Sequence, residues 1–259
     1  MKYTFYKYQG TGNDFVMIDN RQQIFDKNNT KLIAHLCDRR FGIGADGLIL
    51  LENDKVSDFK MVYFNSDGNP SSMCGNGGRC ITHFAHYLGI IQGDTTFNAV
   101  DGLHKAKIVD DDIHLEMQDV TSVEKHDDYV FLNTGSPHHV QSCKNINGLN
   151  VKDEGSKIRY SDLYGNEGSN INFVEKVDSE TFKVRTYERG VEDETLSCGT
   201  GVTAIALAMN YIGETEKNTL AIHTKGGELS VSFDKVDGLY KNIWLIGPAT
   251  KVFKGEIEW

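Results

Sequence analysis

Apolar and polar residues alternate, or run β-rich, in short stretches along most of the 259-residue chain. Residues 3–8 and 15–19 flank a Gly10-Thr11-Gly12 turn and predict an opening hairpin. Leu32, Ile33 and Leu36 fall on one face of a helix that Thr30 can cap and that runs to Arg39. Residues 59–65 predict a strand, and residues 78–88 a helix stopped at Gly89. Strands over 95–100, 105–109 and 113–117 come next. The run Asp110-Asp111-Asp112 joining the last two reads as a solvated turn, not a metal site.

The same pattern then recurs. A shift of 124 positions aligns Tyr63 with Tyr187, Cys74 with Cys198, Gly75 with Gly199, Gly77 with Gly201 and Ile81 with Ile205. It also aligns Tyr87 with Tyr211, Gly89 with Gly213, Thr95 with Thr219 and Gly102 with Gly226. Nine identities over those 40 positions compare with about two or three expected at ordinary residue frequencies. So long a period indicates two homologous lobes, not a solenoid. The chain is expected to be an α+β protein of two pseudo-symmetric lobes. One spans 1–118, completed by 248–259, and the other 119–247, with the boundary near 118–121 and a cleft between them.

Composition narrows the function. Thirty-seven acidic against 27 basic residues leave a net charge of -10, which argues against nucleic acid, whose phosphates need a basic face. No stretch approaches the ~20 apolar residues that span a bilayer, nothing reads as a membrane-surface helix, and the first residues lack the apolar core of an export signal. The five cysteines (Cys37, Cys74, Cys80, Cys143 and Cys198) are odd in number and include no C-x-x-C pair. Reduced thiols in a cytoplasmic compartment are the expectation. Glycine stands at 26 residues, where about 18 would be average, and it gathers in short clusters that include both Cys-Gly-x-Gly segments.

Those two segments carry the candidate chemistry. A helix N-terminus presents unpaired N–H groups and about half a positive charge, which lowers a nearby thiol's pKa and binds anions. Two such units in matched lobes could hold one small carboxylate with a sulfur on each side of its α-carbon. Inversion of a carbon centre needs a proton removed from one face and another delivered to the opposite face, a task for one thiolate and one thiol. On the residues alone, two buried structural cysteines, or an oxidoreductase forming a Cys74–Cys198 disulfide, stay open alternatives.

The motifs resemble diaminopimelate epimerases over essentially the whole chain. The resemblance lies in Gly12-Asn13-Asp14-Phe15-Val16, Gly44-Ala45-Asp46-Gly47, Asn65-Ser66-Asp67-Gly68 and the block from Met73 to Cys80. It continues in Glu188-Arg189-Gly190, the block from Glu194 to Gly201, and Gly247-Pro248-Ala249. It implies a cofactor-independent epimerase, without metal, that interconverts LL- and meso-diaminopimelate for lysine and peptidoglycan, in two lobes of curved mixed sheet, each around a central helix. It also implies a cytoplasmic homodimer. Carried over, Cys74 and Cys198 match the catalytic thiols, and His138 and Glu188 the pair that supports them. Gly75, Asn76, Gly199 and Thr200 match the residues holding the reacting carboxylate. Asn13, Asn65, Asn170, Glu188 and Arg189 match the substrate-binding residues. A guanidinium such as Arg189 can grip a carboxylate with two parallel bonds. A proline racemase-like enzyme is the nearest alternative activity, and a redox or carboxylate-binding dithiol protein the alternative of another kind.

Four positions depart from the family pattern. Ser136 stands where a substrate-binding Asn is common, Gly47 where some members carry a Gln, and Phe253 where a Tyr supports dimerisation. The loop from Gly190 to Cys198 is one residue longer than in better-known members. Two further motifs are weaker. The segment 42–47 fits G-x-G-x-x-G but follows a predicted helix, against a dinucleotide site. Cys80, His83 and His86 sit at i, i+3 and i+6, yet their repeat partners Ala204, Leu207 and Asn210 cannot ligate a metal, so helix packing is expected there.

Overall fold

The opening hairpin closes because Thr11 and Gly12 both take positive φ, 49° and 86°, the geometry of a two-residue turn whose twist matches its strands. In the computed structural model, which describes residues 2–259, β1 (Lys2–Gly10) and β2 (Asn13–Asp19) pair antiparallel with Gly10 opposite Asn13. Helix α1 (Thr30–Cys37) is capped by Asn29, whose side chain accepts from the Leu32 N–H at 3.0 Å, and not by Thr30. It also ends before Arg39. Asp38 turns extended, and its carboxylate takes the N–H groups of Arg40 and Phe41.

Strand β3 (Gly47–Glu52) lies parallel to β2, and β4 (Phe59–Asn65) antiparallel to β3. Helix α2 spans Gly75–Tyr87 and begins three residues earlier than the 78–88 expectation. Three glycines in its first turn argue against helix by propensity, but the Gly78 N–H closes a 2.8 Å bond on the Cys74 carbonyl and the turn is buried. Strand β5 (Thr95–Ala99) runs parallel to β4, followed antiparallel by β6 (Gly102–Val109) and β7 (Asp112–Met117). The acidic turn between the last two is exposed, with Asp110 at φ 55°.

The second half contains β8 (Val123–Lys125), β9 (Val130–Asn133), β10 (Pro137–Ser142), α3 (Val151–Arg159) and β11 (Asn170–Lys176). It continues through β12 (Thr181–Glu188), β13 (Asp193–Thr195), α4 (Gly199–Tyr211), β14 (Thr219–Thr224), β15 (Gly227–Val236) and β16 (Leu239–Gly247). Strand β17 (Thr250–Glu258) then returns to pair antiparallel with β1. The chain divides into two units, Met1–Leu115 with Gly247–Trp259, and Glu116–Ile246.

Both units are built on one plan. From β1 to β6 the successive pairings run antiparallel, parallel, antiparallel, parallel, antiparallel. The series β9, β10, β11, β12, β14, β15 repeats that order. The strands of each unit therefore pair in a mixed pattern, and each unit packs two helices against them. In the first unit Leu32, Ile33 and Leu36 of α1 pack on Val16, Ile18, Leu48 and Leu50. Alternate residues of the same strands, Phe15 and Ile49, face α2 at Gly77. In the second unit every residue of α4 from Gly199 to Asn210 except Thr200 is buried. A helix apolar on all sides is a core helix, and Val140, Val174, Phe182, Leu220, Ile222, Val231 and Leu245 enclose it. Each central helix ends alike: Gly89 and Gly213 take φ 72° and 83°, a left-handed stop that only glycine adopts without strain. Among the described residues no helix is long and apolar enough to cross a membrane.

Candidate active site

The N-caps of the two central helices are cysteines. Cys74 precedes α2 with φ -120° and ψ 126°, and Cys198 precedes α4 with φ -123° and ψ 111°. Neither side chain caps its own helix, and a helix N-terminus directs its first-turn N–H groups outward, where an anion can be met.

Around Cys74, Asn13 at the start of β2 is held by both ends of its amide. Its Nδ2 donates to Asp46 Oδ2 at 2.7 Å. A carboxylate only accepts, so Asn13 Oδ1 is turned to the Cys74 thiol at 3.4 Å and to Asn76 Nδ2 at 3.3 Å. Asp46 belongs to a four-charge cluster. Arg39 grips Asp14 through two bonds of 3.0 and 2.7 Å and reaches Asp46 Oδ1 at 2.7 Å, while Lys7 pairs with Asp14 at 2.6 Å. Burial alone would raise the Asp14 pKa, but Arg39 and Lys7 outweigh it and hold the carboxyl down at about 2. Beneath the helix start lies Arg79, fully buried. Its Nη2 donates to Asn76 Oδ1 at 3.0 Å and Thr11 Oγ1 at 3.1 Å, and its Nε to the Pro248 carbonyl at 3.4 Å. Asn65 is exposed at the end of β4, in register with Gly47.

Around Cys198, the Thr200 hydroxyl lies 3.5 Å from the sulfur and 2.9 Å from His138 Nε2. His138, on β10, is wholly buried; burial, with a smaller effect of Arg189, pushes its pKa down to about 3. A second cluster gathers Asn170, Ser136 and Arg189. Asn170 Nδ2 donates to Ser136 Oγ at 2.9 Å and to the Pro137 carbonyl at 3.0 Å, and its Oδ1 accepts from the Arg189 backbone N–H at 2.9 Å. The Arg189 guanidinium, half-buried, reaches the Glu167 carbonyl at 3.1 Å and Ser136 Oγ at 3.4 Å. Glu188 ends β12 opposite Asp193 of β13.

Each unit thus brings its own share of the expected residues together. Asn13 and Asn76 gather at Cys74; His138 and Thr200 gather at Cys198, and Ser136, Asn170 and Arg189 form a separate cluster. Sequence reasoning assigned no role to Asp46, Arg79 or Asn172. Asn172 carried a legible signal: asparagine is disfavoured in strands, yet Asn170 and Asn172 occupy one face of β11. Two weaker motifs take structural places. The segment 42–47 leads from α1 into β3 and so has the wrong order for a dinucleotide turn. Cys80 is buried in α2 and His83 Nδ1 pairs with Tyr8 Oη at 3.2 Å.

The family model for diaminopimelate epimerase matches residues 5–123 and again residues 130–252, one match for each repeat. The chain belongs to the diaminopimelate epimerase family. The diaminopimelate epimerase of Flavobacterium psychrophilum is 64% identical over 253 residues, covering 97% of this chain and 99% of that relative. That of Chlorobaculum tepidum is 40% identical over 258 residues, covering 96% and 98%. Among solved structures, a PhzF-family phenazine biosynthesis protein of Bacillus anthracis superposes with a TM-score of 0.78 at 14% identity over 100% of both chains. A hydroxyproline epimerase of Agrobacterium vitis gives 0.69 at 14% identity over 99% of this chain and 92% of that one. At such identities the likeness is one of fold.

Membership gives the departures a structural reading. A side chain at Gly47 would begin 2.4 Å from the Phe64 carbonyl and 2.5 Å from the Tyr63 ring, so a glutamine there would first have to displace Tyr63 and the strand beside it. Ser136 retains a polar atom, already engaged by Asn170 and Arg189. Phe253, 46% exposed on β17, meets Phe5 edge-on at 5.9 Å.

Proposed function

We propose that this chain is a cofactor-independent epimerase that interconverts LL- and meso-2,6-diaminopimelate by two-base proton transfer. The observation that carries the reading is the duplicated cysteine N-cap, one in each repeat, with buried glycine behind each sulfur. The thiolate of one cysteine takes the α-proton and the thiol of the other delivers a proton to the opposite face. The product leaves with inverted configuration and the two sulfurs exchange protonation states. Gly75-Asn76 and Gly199-Thr200 hold the reacting carboxylate, whose charge grows as the α-proton departs and is met by the helix N–H groups. Asn13, Asn65, Ser136, Asn170, Glu188 and Arg189 bind the substrate and register its distal amino-acid head, so that one stereocentre reacts and the other does not. His138 and Glu188 support the thiols. The substrate lies in the cleft between the lobe 1–118 with 248–259 and the lobe 119–247. The enzyme works in the cytoplasm as a homodimer, on the route to lysine and peptidoglycan.

The test is NMR of LL-diaminopimelate in D2O with enzyme and reductant and no added cofactor. Deuterium should enter one α-position as the meso isomer forms, and Cys74→Ala and Cys198→Ala should each abolish that epimerisation while leaving the circular dichroism spectrum unchanged. Full turnover in either variant would remove the two-base mechanism, and exchange on proline but not diaminopimelate would favour a proline racemase-like activity.

A further inference from the structure

Asn172 is fully buried in β11 and its amide is fixed at both ends. Its Nδ2 donates to the His139 carbonyl at 2.9 Å, and its Oδ1 accepts from Thr186 Oγ1 at 3.0 Å. A carbonyl oxygen cannot donate, so the NH2 group must occupy that side of the amide. The second hydrogen of the same NH2 then meets His138 Nδ1 at 3.1 Å. An Nδ1 that receives a hydrogen bond carries a lone pair, which puts the proton of a neutral imidazole on Nε2. That proton is donated to Thr200 Oγ1 at 2.9 Å. Having accepted from His138, the hydroxyl has its own hydrogen to give, and Cys198 Sγ lies 3.5 Å away.

We propose that Asn172 is a positioning residue that sets the direction of a donor chain running Asn172, His138, Thr200, Cys198, so that the Thr200 hydroxyl stabilises the Cys198 thiolate and the imidazole takes no proton from it. The assignment deepens the proposed function, since it rests on Cys198 being one of the two proton-transfer thiols. Burial of His138 agrees with it, because an imidazolium enclosed there would lack water to solvate it. The chain gives His138 a supporting role exercised through Thr200. The counterpart of Thr200 in the first repeat is Asn76, which reaches Asn13 instead, so the device belongs to the second repeat.

Two measurements on substrate-free enzyme test this. In protein labelled with 15N-histidine at pH 7, the His138 signals, assigned by their loss in His138→Gln, should show the neutral Nε2–H form. An Nδ1–H form or an imidazolium would overturn the proposal. In the second, the rate of iodoacetamide alkylation is followed at the Cys198 peptide by mass spectrometry. Thr200→Val should slow it about 10-fold, equivalent to ~1.4 kcal/mol of lost thiolate stabilisation, and Thr200→Ser should restore it. Asn172→Leu should slow it as well while mixing the two tautomers of His138. Wild-type alkylation in Thr200→Val, or in an Asn172→Leu protein whose tautomer has changed, would refute the chain. Because no substrate is present, a missing α-deuterium exchange would sink the epimerase reading and leave these rates to judge the donor chain separately.

Discussion

Gly77 and Gly201 occupy the same place in the first turns of the two central helices, yet alanine should affect them differently. At Gly77 a Cβ would meet Met61 Cε at 3.0 Å, Ile49 Cδ1 at 3.1 Å and Phe15 Cζ at 3.6 Å. The two close neighbours are ends of flexible side chains that can move by a few tenths of an ångström. Alanine in a helix interior is favoured over glycine by about 1 kcal/mol, so Gly77→Ala should come out near neutral, within roughly 1 kcal/mol either way. At Gly201 the new Cβ would lie 2.6 Å from Asn172 Oδ1 and 3.4 Å from His138 Cε1 and Cys198 Cβ. The Asn172 amide cannot swing aside freely, because it is tied to Thr186, His139 and His138. Losing one or two of those bonds costs about 1 kcal/mol each, and overpacking adds about 1–3 kcal/mol. After the helix gain is subtracted, a net loss of about 1–4 kcal/mol is expected. Urea unfolding of the two variants beside wild type measures the difference. α-Deuterium exchange should fall in Gly201→Ala far more than in Gly77→Ala, because only the former disturbs the donors to Cys198. Equal destabilisation, or full exchange in Gly201→Ala, would show that the Asn172 amide is not held as described.

Three further outcomes are expected. Arg189→Ala should impair diaminopimelate turnover much more than α-exchange on a short amino acid lacking the distal head; equal losses in a steady-state comparison would deny that Arg189 binds that head. Asp46→Ala should free the Asn13 amide to rotate and lower kcat by about 10-fold, the value of roughly one charge-assisted hydrogen bond, and an unchanged kcat would detach Asp46 from the site. The pKa of His138 is depressed in the fold to about 3 from an ordinary 6.5. The unfolded chain therefore takes up this proton first, and its contribution to stability, constant above pH 6.5, falls on acidification between 6.5 and 3. The loss is at most about 1.4 kcal/mol per pH unit. His139, pushed down to about 4 chiefly by burial, adds a loss of the same sign. The His138 share is thus read as the difference in slope between wild type and His138→Gln by urea unfolding across pH, and parallel slopes would contradict it.

Much of the fold was legible because it depends on local periodicity and on duplication. Alternating strands, the two glycine-stopped helices and the 124-residue shift all concern residues close in sequence or compared one with another, and the repeated pairing order follows from them. The helix starts were misplaced for equally physical reasons. Asn29 outcompetes Thr30 as a cap because its amide reaches the Leu32 N–H. Gly75 to Gly78 are helical despite poor propensity, since their turn is buried under Met73, Met61 and Leu115. The two cysteines were visible through their matched glycines, whereas Asn13 and Asn65 carried no individual signal and were recognisable only through the motifs around them.

The chain by itself determined the duplication, the mixed α+β character and the two thiols at helix starts, since periodicity, helix stops and repeated motifs are properties of neighbouring residues. Tertiary structure alone decided the direction of each hydrogen bond at those thiols. Asp46 lies 33 residues from Asn13, and Asn172 lies 34 from His138. Which atom of an amide or imidazole donates is settled by the obligatory acceptor that folding brings against it, a carboxylate in one unit and a backbone carbonyl in the other.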